Sequence, residues 1–211
     1  MSEFTWGHLI LNRDLDKVEA FRPVKVKTLN DKWSVFFTPE SRIGDDRTAE
    51  VLKAESDIPI LSFENAGDYG WGFAITRGGK VLSRFELSYM AEDQDLVELT
   101  ERDYPGEEPS ELLYMSENSS KIYAEMLGKL RAVYPLRQRI EKWLAPFSAD
   151  AFREFDLSEE QVERIGRLLN ADHLTQVWEK EVLKIVEQFK EIVGIEEMNW
   201  ISPDYEDEDE D

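Results

Sequence analysis

Trp71-Gly72-Phe73-Ala74-Ile75-Thr76-Arg77-Gly78-Gly79-Lys80-Val81-Leu82-Ser83-Arg84-Phe85-Glu86-Leu87-Ser88-Tyr89 decides the fold. Two apolar runs flank a Gly-Gly pair, the pattern of a β-hairpin. Burial sets the register. A two-residue Gly78-Gly79 loop pairs Phe73 with Arg84 and Trp71 with Glu86, which mixes charge into the apolar face. A three-residue Arg77-Gly78-Gly79 loop, with Gly79 left-handed in a bulge, pairs Ile75 with Val81 and Trp71 with Phe85. It gathers Trp71, Phe73, Ile75, Val81, Phe85 and Leu87 on one face. A one-residue slip turns a whole strand over, so burial selects the bulged loop.

Upstream, the chain stays β-rich. Trp6–Leu11 is a short apolar run suited to a strand, ended by Asn12-Arg13-Asp14. Leu15–Phe21 suits a short helix capped by Asp14, and Pro23 bars its continuation. Val24–Leu29 and Lys32–Thr38 alternate with period two around the Asn30-Asp31 turn signal, a second hairpin. Asp45-Asp46 opens a short helix running to about Glu55, with Ala49, Val51 and Leu52 inward. Ile58–Phe63 is a further strand, and its Pro59 suits a strand start or an edge.

Downstream, the period changes. Residues 91–118 hold Pro105, Gly106, Pro109 and many acids with little periodicity, so they read as a mobile acidic connector. Helical turns fit only near Leu96–Leu99 and Glu111–Met115. From Ser119 the apolar spacing is helical: Ile122, Met126, Leu127, Leu130 and Tyr134, then Leu136, Ile140, Trp143 and Leu144 beyond Pro135. Ser158-Glu159-Glu160-Gln161 is a capping box ahead of Val162, Ile165, Leu168 and Leu169. One long helix after Asn170 is expected to carry Leu174 through Ile192 and to end at Gly194. The expected fold is α+β: an N-terminal antiparallel sheet with one or two short helices over residues 1–90, the connector 91–118, and a helical half 119–200 packed on the sheet. One compact unit is favoured, because helices in short pieces need a sheet face to cover. Residues 201–211 have almost nothing to bury and read as a disordered acidic tail.

Composition bounds the chemistry. The chain has 211 residues, 41% of them hydrophobic, and a formal net charge of −21. Residues 91–120 carry ten acidic and one basic side chain, and residues 201–211 carry seven acidic and none basic. These 41 residues therefore hold −16 of the total, while the remainder is nearly balanced. Such a field repels nucleic acid and anionic membranes, and attracts basic partners. No apolar run approaches the roughly 20 residues of a spanning helix, and the N-terminus lacks a basic-then-apolar leader, so a cytoplasmic location is expected. The absence of cysteine removes disulfides, thiol nucleophiles and thiolate metal sites.

Candidate chemistry is sparse. His8 and His173 are the two histidines; the first reads as a surface or sheet-edge residue, the second as part of a helix's first turn. No Gly-x-Ser-x-Gly elbow supports a triad, and Ser62, Ser83 and Ser88 read as ordinary strand serines. Asn12-x-Asp14-x-Asp16 opens like a calcium loop, but Lys17 replaces the required Gly and Pro23 the final Glu. Ala66–Phe73 is glycine-rich, yet it leads into a strand rather than a helix, so a tight turn with aromatic flanks is expected instead of a phosphate cradle. The expected function is a non-catalytic interaction module for a basic protein such as a toxin. The alternative is a small-ligand protein or carboxylate-based enzyme, with Glu64, Asp68, Tyr69 and Trp71 lining a pocket. Neither reading calls for a cofactor, a metal, nucleic acid or a membrane.

Overall fold

The hairpin at 71–89 forms, but its apolar face is aligned by a different device. A computed structural model describes residues 4–38, 48–54, 56–178 and 181–203. Arg77 pairs with Lys80 around a two-residue Gly78-Gly79 turn, and both glycines are left-handed, with φ of 58° and 69°. The extra residue enters further along: Thr76 pairs with Val81, but Ile75 pairs with Ser83, so Leu82 is bulged. Beyond the bulge Phe73 faces Phe85 and Trp71 faces Leu87. The expectation of a three-residue loop is thus corrected, and Val81 falls outside the core. A primed two-residue turn matches the twist of its strands, so the sheet keeps that turn and absorbs the mismatch in a bulge.

This hairpin closes one side of a six-stranded antiparallel sheet. Its strands are β1 (Thr5–Leu11), β2 (Lys25–Thr28), β3 (Trp33–Phe37), β4 (Ile60–Asn65), β5 (Gly70–Arg77) and β6 (Lys80–Ser88), in the order β2-β3-β1-β4-β5-β6. The first strand is therefore central, buried along its whole length. Its N-terminal stretch outruns its pairing with β3, and there the Trp6 N–H donates to the Ile201 carbonyl at 2.9 Å. Pro59 precedes β4, at the strand-start position where its missing N–H does no harm.

One sheet face presents Leu9, Leu11, Trp33, Val35, Leu61, Phe63, Trp71, Phe73, Ile75, Phe85 and Leu87 to the C-terminal half. The cover comes from α4 (Leu136–Leu144), a 3-10 segment (Ala149–Phe155), α5 (Glu159–Leu168), α6 (Ala171–Val177) and α7 (Ile185–Val193). Phe189 is the centre of this layer, 4.9 Å from Phe73, 5.1 Å from Trp71 and 5.7 Å from Phe152 between ring centroids. The Ser158–Gln161 capping box forms with both bonds, and Gly194 ends α7 with a left-handed φ of 80°. The single long helix expected after Asn170 is corrected: α6 stops at Val177 and a 3-10 turn, Val182–Lys184, precedes α7. The two pieces bury against different partners. Trp178, just past α6, packs on Trp143, 5.3 Å away, while α7 lies on the sheet.

The opposite sheet face is covered by local elements. A 3-10 segment (Asn12–Phe21) and α1 (Thr48–Lys53) bury Ile10, Val18, Phe21, Phe36, Val51, Ile58 and Ile60. Asp14 does not cap this segment; it pairs with Lys17 at 2.6 Å. The expected start of α1 at Asp45-Asp46 and the acidic stretch 204–211 lie outside the described residues.

Residues 91–118 contain more order than their composition suggests. A helix of 13 residues, α2 (Ala91–Asp103), packs against α3 (Ser119–Val133) and a π-helical turn (Glu111–Met115). Leu96, Leu99, Leu113, Met126 and Leu130 form their shared small core. Arg139 of α4, 1% exposed, ties this layer to the body by donating to Glu92 at 2.7 Å and Asp95 at 3.2 Å. Arg131 adds a contact to Glu92 at 3.2 Å. Acids that composition assigns to a connector are thus held by cations from the following helices.

Candidate functional site

The four residues singled out by sequence do not converge. Asn65 pairs with Trp71 and Glu64 with Gly72, so strand alternation sends Trp71 and Glu64 to opposite faces. Trp71 is 2% exposed and sits among Phe63, Phe85 and Phe189; its indole N–H finds no acceptor. Asp68 and Tyr69 occupy a 3-10 turn (Gly67–Tyr69) at the end of the sheet, and both are exposed. The Ala66 N–H donates to the Gly70 carbonyl and the Tyr89 N–H to the Tyr69 carbonyl. The glycine-rich stretch is therefore a tight turn leading into a strand, with its amides used internally.

Of the four, Glu64 lines a recess that the other three do not reach. On the locally covered face, beyond the reach of the 3-10 segment, lies a recess of about 60 Å³. Two cross-strand rows build it. One runs Trp6, Glu64, Gly72, Glu86; the other runs His8, Ser62, Ala74, Arg84. Thr48 at the start of α1 completes the wall. The floor is low because Gly72 and Ala74 stand between larger neighbours. A Cβ on Gly72 would lie 2.8 Å from the Phe85 carbonyl oxygen, so no side chain fits there.

His8 corrects an expectation. It is fully buried in the central strand, not at a surface or sheet edge. Its Nδ1 shares a hydrogen bond with the Ser62 hydroxyl at 2.8 Å, and its Nε2 lies 3.3 Å from the Thr38 hydroxyl. Burial of a polar ring requires such partners. The signal was available: Trp6–Leu11 is apolar on both faces, the mark of a doubly covered strand, so a histidine inside it has to be buried. Ser62 is thus tied to His8, and Ser83 accepts from the Ser148 N–H at 2.9 Å. The described hydrogen-bond partners of the His8 ring are thus two hydroxyls, Ser62 on Nδ1 and Thr38 on Nε2. His173 donates its backbone N–H to the Asn170 side chain, which caps α6.

The second candidate is the acidic helical layer. Glu98, Glu101, Glu107, Glu108, Glu111 and Glu117 are exposed on it. Tyr114 and Met115 of the π-helical turn project among them, and Met115 is 80% exposed. Tyr123 donates its hydroxyl to Asp93 at 3.3 Å, and burial with the nearby Asp93 charge pushes the phenols of Tyr114 and Tyr123 above the ordinary tyrosine value. Among the described residues no group of three or more histidines and carboxylates is placed to hold a metal ion, and no helix is long and apolar enough to cross a membrane.

No known protein family matches the sequence, and comparison with curated proteins and with solved structures gives no match either, so the function rests on the two sites just described.

Proposed function

We propose that this chain is a non-catalytic, cytoplasmic interaction module whose acidic helical layer binds a basic protein, a toxin-like polypeptide being the type of partner meant. One observation carries the reading: the acids of residues 91–118 sit on an ordered layer, beside the exposed apolar side chains Tyr114 and Met115. Charge alone steers encounter and raises the association rate, whereas a buried apolar anchor slows dissociation. This surface supplies both. A fixed charge array also avoids the ordering penalty that a flexible acidic segment would incur on binding.

The test is titration of the intact protein with basic polypeptides at several salt concentrations, with association and dissociation rates resolved. Glu107→Gln/Glu108→Gln/Glu111→Gln is expected to lower the association rate and flatten its salt dependence. Tyr114→Ala/Met115→Ala is expected to raise the dissociation rate. Binding that ignores both salt and the triple substitution overturns the reading.

A second reading, a small-ligand site, is favoured by a specific observation: Glu64 faces a recess that also exposes Glu86, Arg84 and Thr48. The pocket lies on the sheet face away from Trp71, so Asp68, Tyr69 and Trp71 have no part in it.

A further inference from the structure

We propose that residues 195–203 are an exchangeable strap, whose seat on the sheet is filled in a dimer by the same residues of a second copy of this chain. This depends on neither the acidic layer nor the recess. The strap follows Gly194, whose left-handed φ of 80° ends α7 and serves as the hinge. It crosses the central strand at Thr5–Gly7, beyond the His8–Leu11 stretch that pairs with β3. Ile195, Met198 and Ile201 are its buried anchors. The Met198 methyl lies over Gly7, 3.6 Å from where a Cβ would stand. The Trp6 N–H donates to the Ile201 carbonyl, and the Ile201 N–H to the Thr5 hydroxyl at 3.4 Å. From α7 the fully buried Lys190 donates to the Met198 carbonyl at 3.4 Å and to the Asn199 side chain.

The seat is specific, yet the strap is not at rest in it. Trp200 is held left-handed at φ 54°, a conformation that is unfavourable for a bulky side chain, and its ring is half exposed. The Ser202 hydroxyl is buried and has no hydrogen-bond partner among the described residues, whereas water would supply one. Departure strands no charge either. Lys190 keeps Glu187 at 2.6 Å, in the last turn of α7 where a cation is favoured. Backbone strain and an unmet hydroxyl within one short segment mark an element that opens ahead of the rest. The seat itself says what refills it. It asks for apolar side chains at the spacing of 195, 198 and 201, an acceptor for the Trp6 amide and acceptors for Lys190. A second copy's strap carries that set, so exchange restores every contact in both chains, and concentration selects the dimer.

A chain without cysteine allows a direct test. Full-length Thr5→Cys and Ile201→Cys chains are mixed at high concentration, oxidised, and weighed under non-reducing conditions. The two positions are neighbours in the seat, so a disulfide between the two variants reports one chain's strap on the other's central strand. Such heterodimers are expected severalfold above the level of random pairing, with circular dichroism unchanged. Crosslinking at the random level, or only with loss of the native spectrum, overturns the exchange. The unmodified protein gives a second readout that needs no variant. Its Trp6 amide is expected to exchange hydrogen about tenfold faster than the amides of β4, through opening of the strap alone. Ser202→Ala removes the unmet hydroxyl and is expected to slow that exchange severalfold and to lower the heterodimer yield. A Trp6 amide that exchanges in step with β4 would mean that the strap leaves only when the whole molecule unfolds, and the proposal fails.

Discussion

The body and the acidic layer are held together by different forces. In the body, the sheet and its C-terminal cover share one continuous cluster rich in aromatic rings, with Phe189 against Phe73, Trp71, Phe63 and Phe152. In the acidic layer, five buried aliphatic side chains and the Arg139 and Arg131 contacts suffice. Aromatic burial is insensitive to pH and salt; a small core stapled by ion pairs is not. The part of the molecule proposed to meet a partner is therefore also its least insulated part, in keeping with the general placement of binding elements at the low end of local stability.

Phe189→Ala offers the largest test of that contrast. It empties the centre of the aromatic cluster and is expected to cost about 3–5 kcal/mol, with every spectroscopic probe moving together in denaturant. A loss confined to one region would break the picture of a single continuous core. Arg139→Met comes next. It strips Glu92 and Asp95 of their buried partner, and because both acids keep some access to water the expected cost is about 1–3 kcal/mol, below that of a fully buried pair. The effect should be local: amides of Leu96–Thr100 lose protection in hydrogen exchange while those of β1 and β4 keep theirs. Equal loss in both places would merge the two regions into one unit. Ser158→Ala removes one capping bond at the start of α5 and is expected to cost about 1 kcal/mol, all of it in the body.

The pH responses should divide in the same way, with smaller effects. Burial raises the Glu92 carboxyl, but hydrogen bonds from Arg131 and Arg139 outweigh it and hold the group below the ordinary carboxylate value of 4.5. A depressed folded value contributes stability that is present above the unfolded pKa and lost as pH falls through the folded one. Acidification below about pH 4.5 should thus loosen α2 before the sheet, visible as early loss of exchange protection at Leu96 and Leu99. At the other extreme, burial pushes the Tyr89 phenol, at the end of the hairpin, up to about 12. A raised folded value gives stability that is complete below the unfolded pKa near 10 and disappears as pH climbs toward 12. Ultraviolet titration should show a phenol ionising near pH 12 that is absent in Tyr89→Phe, beside the raised phenols of Tyr114 and Tyr123.

The body was largely legible in the sequence, and the layer was not. Period-two alternation at Val24–Leu29 and Lys32–Thr38 marks a hairpin that forms, and the Ser158 capping box and Gly194 match the structure; the Gly-Gly pair marks the other hairpin, although its loop has two residues rather than the expected three. The layer hides because its evidence is distant. Only Leu96, Leu99 and Thr100 of α2 are buried, and no side chain caps its N-terminus, so the segment shows little periodicity. What offsets its acids arrives some forty residues later as Arg131 and Arg139. The break between α6 and α7 was invisible for a related reason: one uninterrupted apolar stripe serves two surfaces, Trp143 for the first piece and the sheet for the second. At the recess, Glu64 could be picked out from its neighbourhood, but its row-mates Trp6 and Glu86 come from other strands, and only pairing brings them alongside.

The bond from the Trp6 amide to the Ile201 carbonyl has a consequence for biosynthesis. A ribosome releases the central strand long before residue 201, yet the oxygen that meets its Trp6 amide belongs to that later segment. Until then the strand carries an unmet donor, and the aromatic sheet face waits for Phe189 and its helix to cover it. Chains that stop short of Phe189 therefore display the very surface that the helical cover conceals, and the sheet is not sealed until that segment has been made.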